Sequence, residues 1–143
     1  MQVVVIGGRA SGMMAALTAA EDPRNQVTLL ERQSRVGRKL LATGNGRCNL
    51  TNLHAAPEHY HGHNPDFVRP ALDRFSVADT LDFFRKLGLL TVAEESGKVY
   101  PFSDQANSVV DVLRFALENR SVDVRCSCDV QSIGRQAKGY QVK

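Results

Sequence analysis

The 143-residue chain contains no tryptophan, and only 6% of it is aromatic. A surface that stacks successive bases needs several such rings beside a basic stripe, so the sequence argues against a nucleic-acid partner. Cysteine is scarce as well: three residues, an odd number without framework spacing. That argues against a disulfide-stapled secreted scaffold and fits the reduced thiols of a cytoplasmic protein. No apolar run approaches the length of a membrane span. The short one at the N-terminus runs into glycines instead of a cleavage site, so neither a membrane segment nor a signal peptide is expected. Charge of one sign is not in excess, with 18 Lys+Arg against 15 Asp+Glu and a net charge of +3. Internal repeats and low-complexity segments are absent too. What remains is an ordinary globular composition, 43% hydrophobic and 23% charged, about one domain long.

What is present is concentrated near the N-terminus. Val3-Val4-Val5-Ile6 is a β-branched run suited to a central strand buried on both faces. It breaks at Gly7-Gly8, and small residues lead into Met13–Ala20, rich in strong helix formers and free of Gly and Pro. Strand, glycine turn and helix N-terminus make a phosphate-binding unit, because the helix's free N–H groups and its positive dipole end face the turn. The expected G-x-G-x-x-G reads Gly7-Gly8-Arg9-Ala10-Ser11-Gly12. Arg9 replaces the glycine that lets a pyrophosphate approach the backbone. It either adds charge for the phosphates or swings outward.

A second strand, Gln26–Leu30, ends at Glu31. An acid at this strand tip, about 20 residues beyond the glycines, is the expected ligand for a dinucleotide's ribose hydroxyls. A solvated strand end is the plainer alternative. Residues 43 to 52, Thr-Gly-Asn-Gly-Arg-Cys-Asn-Leu-Thr-Asn, have neither helix nor strand period and are expected as a loop. It either wraps a cofactor or forms a surface excursion.

Downstream, Phe67–Phe75 reads as a short helix and Val77–Leu87 as a better one, capped by Ser76 with Asp79 at N3 and ended by Gly88. Leu89–Ala93 and Lys98–Phe102 read as a hairpin. Ser103 or Asp104 is expected to cap a longer helix carrying Val109, Val110, Leu113, Phe115, Ala116 and Leu117. Val122–Cys126 follows as a third strand. Cys128–Ile133 and Gly139–Val142 make a further hairpin that starts a β-meander. His59, His61 and His63 could line one strand face for zinc or nickel, yet no matching carboxylate or cysteine pair accompanies them, and no metal is assigned. Cys126 and Cys128, two apart on one strand face, read as a packed strand in preference to a redox pair.

Two glycine-bearing segments carry a family resemblance. Gly37-Arg38-Lys39, then Thr43-Gly44-Asn45-Gly46-Arg47-Cys48-Asn49-Leu50-Thr51-Asn52, match without exception a pattern close to G-R-K-x-x-x-[ST]-G-x-G-R-C-N-x-[ST]-N. On this pattern the chain resembles the bacterial BaiN/YhiN-type, aminoacetone-oxidase-like family of NAD(P)/FAD-dependent oxidoreductases. Phe83–Gly88 and Gly97–Ala106 also resemble family segments, so the likeness runs end to end.

The resemblance implies an α/β fold: a Rossmann-type FAD-binding domain with a parallel sheet, residues 53 to 102 as an inserted helix-hairpin segment, and the start of a meander. Residues 1 to 143 would be its N-terminal part. FAD is the implied cofactor, with NAD(P)H as electron donor and a small molecule of unidentified class as substrate. The implied cofactor-binding set starts with Gly7, Gly8 and Gly12 at the pyrophosphate, Arg9, Ala10 and Ser11 in the same turn, Glu31 at the ribose, and Arg32 beside it in sequence. Gly37, Arg38 and Lys39 lie nearby, and Thr43, Gly44, Asn45, Gly46, Arg47, Cys48 and Asn49 lie toward the flavin. Catalytic residues are not assigned. Cys48 reads as a space-filling buried residue, with an Arg47-activated thiol as the alternative. Family members are considerably longer, so the other readings are a truncated nucleotide-binding module without activity and an NAD-only dehydrogenase domain. The Gly37–Asn52 segment speaks against the latter.

Overall fold

A computed structural model describes all 143 residues. In chain order the elements are β1 (Gln2–Ile6), α1 (Ala10–Ala19), β2 (Gln26–Leu30), β3 (Thr51–Asn52), α2 (Arg69–Arg74), α3 (Val77–Lys86), β4 (Thr91–Ala93), β5 (Lys98–Pro101), α4 (Ala106–Asn119), β6 (Asp123–Arg125), β7 (Ile133–Gln136) and β8 (Gly139–Val142). Short 3-10 turns occupy Leu40–Gly46, Pro57–His59 and Pro65–Val68. The chain divides into two compact units, one of Met1–Leu40 with Leu113–Lys143 and one of Leu41–Val112.

The first unit holds a parallel sheet in the order β1-β2-β6. Helix α1 crosses from β1 to β2 and packs on both strands, burying Met13, Ala16 and Leu17. Beneath it Val27 and Leu29 are buried, and each large side chain so removed from water contributes about 1.5–3 kcal/mol. The expectation of a strand buried on both faces is corrected. Within the chain β1 pairs only with β2 and lies at the sheet edge, and because strand side chains alternate, Val4 and Ile6 point away from α1 and remain 46% and 45% exposed. Near the end of α4, Arg120 donates from Nη1 to the carbonyl of Leu17, 2.8 Å away, tying down the last turn of α1.

The hairpin at the C-terminus is also displaced from its expected place. Its first arm is Ile133–Gln136, not Cys128–Ile133, and it pairs with Gly139–Val142 across Ala137-Lys138. Strand β6 stops at Arg125, so Cys126 and Cys128 do not share a strand face. Ser127 between them has a φ of +56°, which breaks the extended conformation.

In the second unit β3, β5 and β4 form an antiparallel sheet in that order. Thus the last two residues of the expected loop 43–52 are a strand, paired with Val99 and Lys98. Helix α3 starts as the sequence predicts. Ser76 Oγ accepts from the Asp79 amide while the Asp79 carboxylate accepts from the Ser76 amide, a complete capping box. Gly88 follows with a φ of +85°. The expected cap on α4 is corrected: the helix begins at Ala106, and Asp104 is bound instead to Arg47. His59 ends a 3-10 turn, and His61 and His63 follow in exposed coil, so the three imidazoles do not line a strand.

Replacing the Ser76 hydroxyl, Ser76→Ala, is expected to lower stability by about 1 kcal/mol in urea denaturation. The Ser76 hydrogen bonds hold the Asp79 carboxyl below its usual range. A lowered folded-state pKa stabilises above the unfolded value and is lost as pH falls through the folded one. The difference between wild type and Ser76→Ala should therefore be full at neutral pH and shrink on acidification below about pH 4.

Candidate functional site

The turn after β1 is built by contacts that only glycine permits. Gly7 has a φ of +98° and donates its amide to Leu30 O at 2.7 Å, extending the β1–β2 ladder by one residue. A Cβ at Gly12 would sit 1.8 Å from Gly7 O, so the first turn of α1 presses directly on the glycine turn. At Gly8 a Cβ would meet Val36 Cγ1 at 2.5 Å and Glu31 Cβ at 3.1 Å. Arg9 occupies the N-cap of α1 without a side-chain cap, and no acid lies in the first turn. The N-terminal amides of a ten-residue helix are thereby left to an external acceptor.

Glu31 joins these parts. It is buried, 7% exposed, at the tip of β2. Its Oε2 accepts from the Gly8 amide at 2.6 Å and its Oε1 from the Gln33 amide at 2.8 Å. Gly37 closes the same knot by donating its amide to Gly8 O at 2.7 Å. Three residues of the candidate set, Gly8, Glu31 and Gly37, are thus brought into one hydrogen-bonded group. Each Glu31 oxygen keeps a second lone pair for a further donor.

Around this knot Arg9, Arg32, Arg38 and Lys39 are exposed, as is Arg35, which the candidate set omits. Arg38 donates to Gln33 Oε1 at 2.8 Å. Gln33 and Val36 also went unnamed, since neither an amide donor nor a contact partner of glycine leaves a mark in residue type.

The other half of the candidate set lies in the second unit. Here Gly44 and Asn45 have φ near +54° and +53°, and Cys48 +61°, so the segment doubles back tightly. Gly44 lies where a Cβ would be 2.9 Å from Asn49 N and 3.2 Å from Tyr100 Cε1. Arg47 pins the segment down. Its guanidinium binds Asp104 and, at 2.8 Å, Glu94, and its Cζ lies 3.9 Å from the centre of the Tyr100 ring. Asp104 first and Glu94 second push this guanidinium above even the usual arginine range. Asn49 Nδ2 donates to Thr51 O and Val99 O. Arg47 through Nε and Nη2, and Asn49 through Nδ2, therefore donate to protein, holding Thr43–Asn49 against β5. Tyr100 and Asp104 fall within Gly97–Ala106, a segment the resemblance had marked without assigning roles.

Cys48 is buried at 2% exposure. Burial pushes its thiol up, and the hydrogen bond with Thr43 offsets this only in part. The space-filling reading holds and the Arg47-activated thiol does not. The guanidinium that was to activate it is committed to two carboxylates.

Against known families, the HI0933-like protein Rossmann domain matches residues 1–143, the whole chain. The chain belongs to this family. It is the family the glycine motifs pointed to. The chain is 43% identical over 143 residues to a 3-dehydro-bile acid delta(4,6)-reductase from Clostridium scindens, covering 99% of this chain and 35% of that protein. To a ribosomal RNA dihydrouridine synthase from Escherichia coli it is 34% identical over 137 residues, covering 96% and 34%. The chain thus spans about a third of the length of these relatives. Among solved structures it is similar to a 3-ketosteroid-delta4-(5alpha)-dehydrogenase from Rhodococcus jostii RHA1, with a TM-score of 0.60 and 14% identity over 98% of this chain and 43% of that one. That likeness supports the fold, a Rossmann-type α/β domain.

Gly12→Ala should force α1 away from the turn and cost at least 1–3 kcal/mol, the usual range for overpacking, by chemical denaturation. Arg47→Ala should expose the Thr43–Asn49 amides, measured as faster hydrogen exchange there, while β1 and β2 amides keep their protection.

Proposed function

We propose that this chain is the FAD-binding portion of a flavin-dependent oxidoreductase, taking electrons from NAD(P)H for an unidentified small-molecule substrate. The observation that carries the reading is the Gly7–Gly12 turn, closed on Glu31 while the amides at the start of α1 stay uncapped. A dinucleotide presents a pyrophosphate and a ribose diol at the spacing such a turn and acid recognise. The amides of Ala10, Ser11 and Gly12 at the start of α1 would hold the pyrophosphate, Gly7 and Gly8, whose own amides go to Leu30 O and Glu31 Oε2, would shape the turn beneath it, and Glu31 would accept from the ribose hydroxyls. Arg9, with no acid partner and an extended backbone, is free to swing toward the phosphates. Arg32, Arg38 and Lys39 add positive charge around them. In the second unit Thr43, Gly44, Asn45, Gly46, Arg47, Cys48 and Asn49 would shape the flavin side, Arg47 as a clamp more than as a contact. Flavin, when bound, supplies hydride and electron transfer, and the protein supplies position and electrostatics.

The relatives support assigning the cofactor to this part of the chain. Two proteins named for acting on a bile acid and on ribosomal RNA share the same stretch. A segment common to such different substrates carries what they have in common. No helix here is long and apolar enough to cross a membrane, and with three free thiols a cytoplasmic location is part of the same proposal.

The test is titration of the purified chain with ADP and with FAD, followed by gel filtration and a visible spectrum. ADP binding that weakens at least tenfold in Glu31→Gln, about 1.4 kcal/mol, is the expected result. A chain that binds neither ligand would favour a truncated module without nucleotide-binding capacity.

A further inference from the structure

Past Arg125 the chain leaves β6 and bends around Ser127, with Cys126 on one side and Cys128 on the other. Both cysteines are free and half-buried, so a small reagent reaches them. An extended strand holds residues i and i+2 about 6.6 Å apart, near the upper limit of the Cα separation a disulfide spans. The left-handed φ of +56° at Ser127 folds the chain back and shortens that span. Cys128 Sγ already points back along the bend, donating to Cys126 O at 3.4 Å.

The bend is laced to the tip of β2. Ser127 donates its amide to Gln33 O at 2.9 Å, Cys128 to Glu31 O at 3.0 Å, and Glu31 donates to Arg125 O at 2.9 Å. The residue whose carboxylate holds the Gly8 amide is therefore supported by the backbone of Cys128. Arg32 lies, exposed, between the two residues whose carbonyls take these bonds.

We propose that Cys126 and Cys128 form a redox modification site. A low-molecular-weight disulfide of the glutathione class oxidises them to an internal disulfide, and ring closure rearranges the bend that supports Glu31. One protein thiolate attacks the glutathione disulfide, forming a mixed disulfide and releasing one reduced glutathione. The second thiolate then displaces the other glutathione. The protein loses two electrons and two protons, and one oxidised glutathione becomes two reduced ones. Cys48, buried in the second unit, takes no part. The modification itself needs no cofactor. Its effect on nucleotide affinity rests on the proposed function.

The experiment incubates the whole chain with oxidised glutathione and reads intact mass, peptide linkage and amide exchange. The expected mass is lower by two hydrogens, with a Cys126–Cys128 crosslink and faster exchange at the Ser127 and Cys128 amides. Cys126→Ser and Cys128→Ser should each carry one glutathione instead. Wild type that carries glutathione without an internal bond, or does not react, overturns the proposal. So does an internal disulfide that leaves the protection of Ser127 and Cys128 unchanged. ADP titration of the reduced and oxidised forms separates the two ideas: oxidation should weaken binding several-fold. If the reduced chain binds no ADP, the functional reading fails while the thiol result stands.

Discussion

The carboxylate of Glu31 and the amide of Gly8, 2.6 Å apart in a buried position, connect nearly everything that matters in the first unit. A carboxylate removed from water is costly unless donors replace the lost hydration. Here the amides of Gly8 and Gln33 do so, and hydrogen bonds to an ionised acceptor are among the stronger ones. The backbone of Glu31 is occupied as well, by Arg125 O and the Cys128 amide. One residue thus ties the glycine turn, the tip of β2 and the segment after β6. Deleting its side chain would orphan a buried amide, which costs about 1–3 kcal/mol by itself. The acid to which the proposed function gives the ribose is also a structural part of the glycine turn.

The second unit solves a similar problem by a different route. Its motif segment contains Asn45 and Cys48 in left-handed backbone, an unfavourable conformation for non-glycine residues. Such strain persists only where surrounding contacts over-determine it. Arg47, Asn49 and the close packing of Gly44 on Tyr100 supply those contacts. The motif arginine and asparagine are therefore scaffolding for a loop shape. Several donors of a motif that looks made for a ligand are directed at protein.

Much of the fold was legible because its signals are local. The β-branched run at Val3–Ile6, the glycines after it, and the Ser76/Asp79 box each impose structure through their own backbone or a neighbour three residues away. What the sequence hid was non-local. The exposure of Val4 and Ile6 depends on which strand lies beside β1, and the stop at Arg125 depends on a left-handed serine that residue type does not announce. The partners of Arg47 lie roughly 50 residues downstream, so no spacing rule could link them. The true start of α4 was missed because Asp104, a good cap by type, is committed to that arginine.

The most direct test of this account is the proton–nitrogen spectrum of the Gly8 amide. A short hydrogen bond to an ionised carboxylate should shift its proton strongly downfield in the wild type. In Glu31→Gln the resonance should move upfield, together with those of Gly37 and Cys128, while the amides of β4 and β5 stay in place. A Gly8 amide indifferent to the Glu31 substitution would mean that the turn holds its shape without that carboxylate, and the central role given to it here would be wrong.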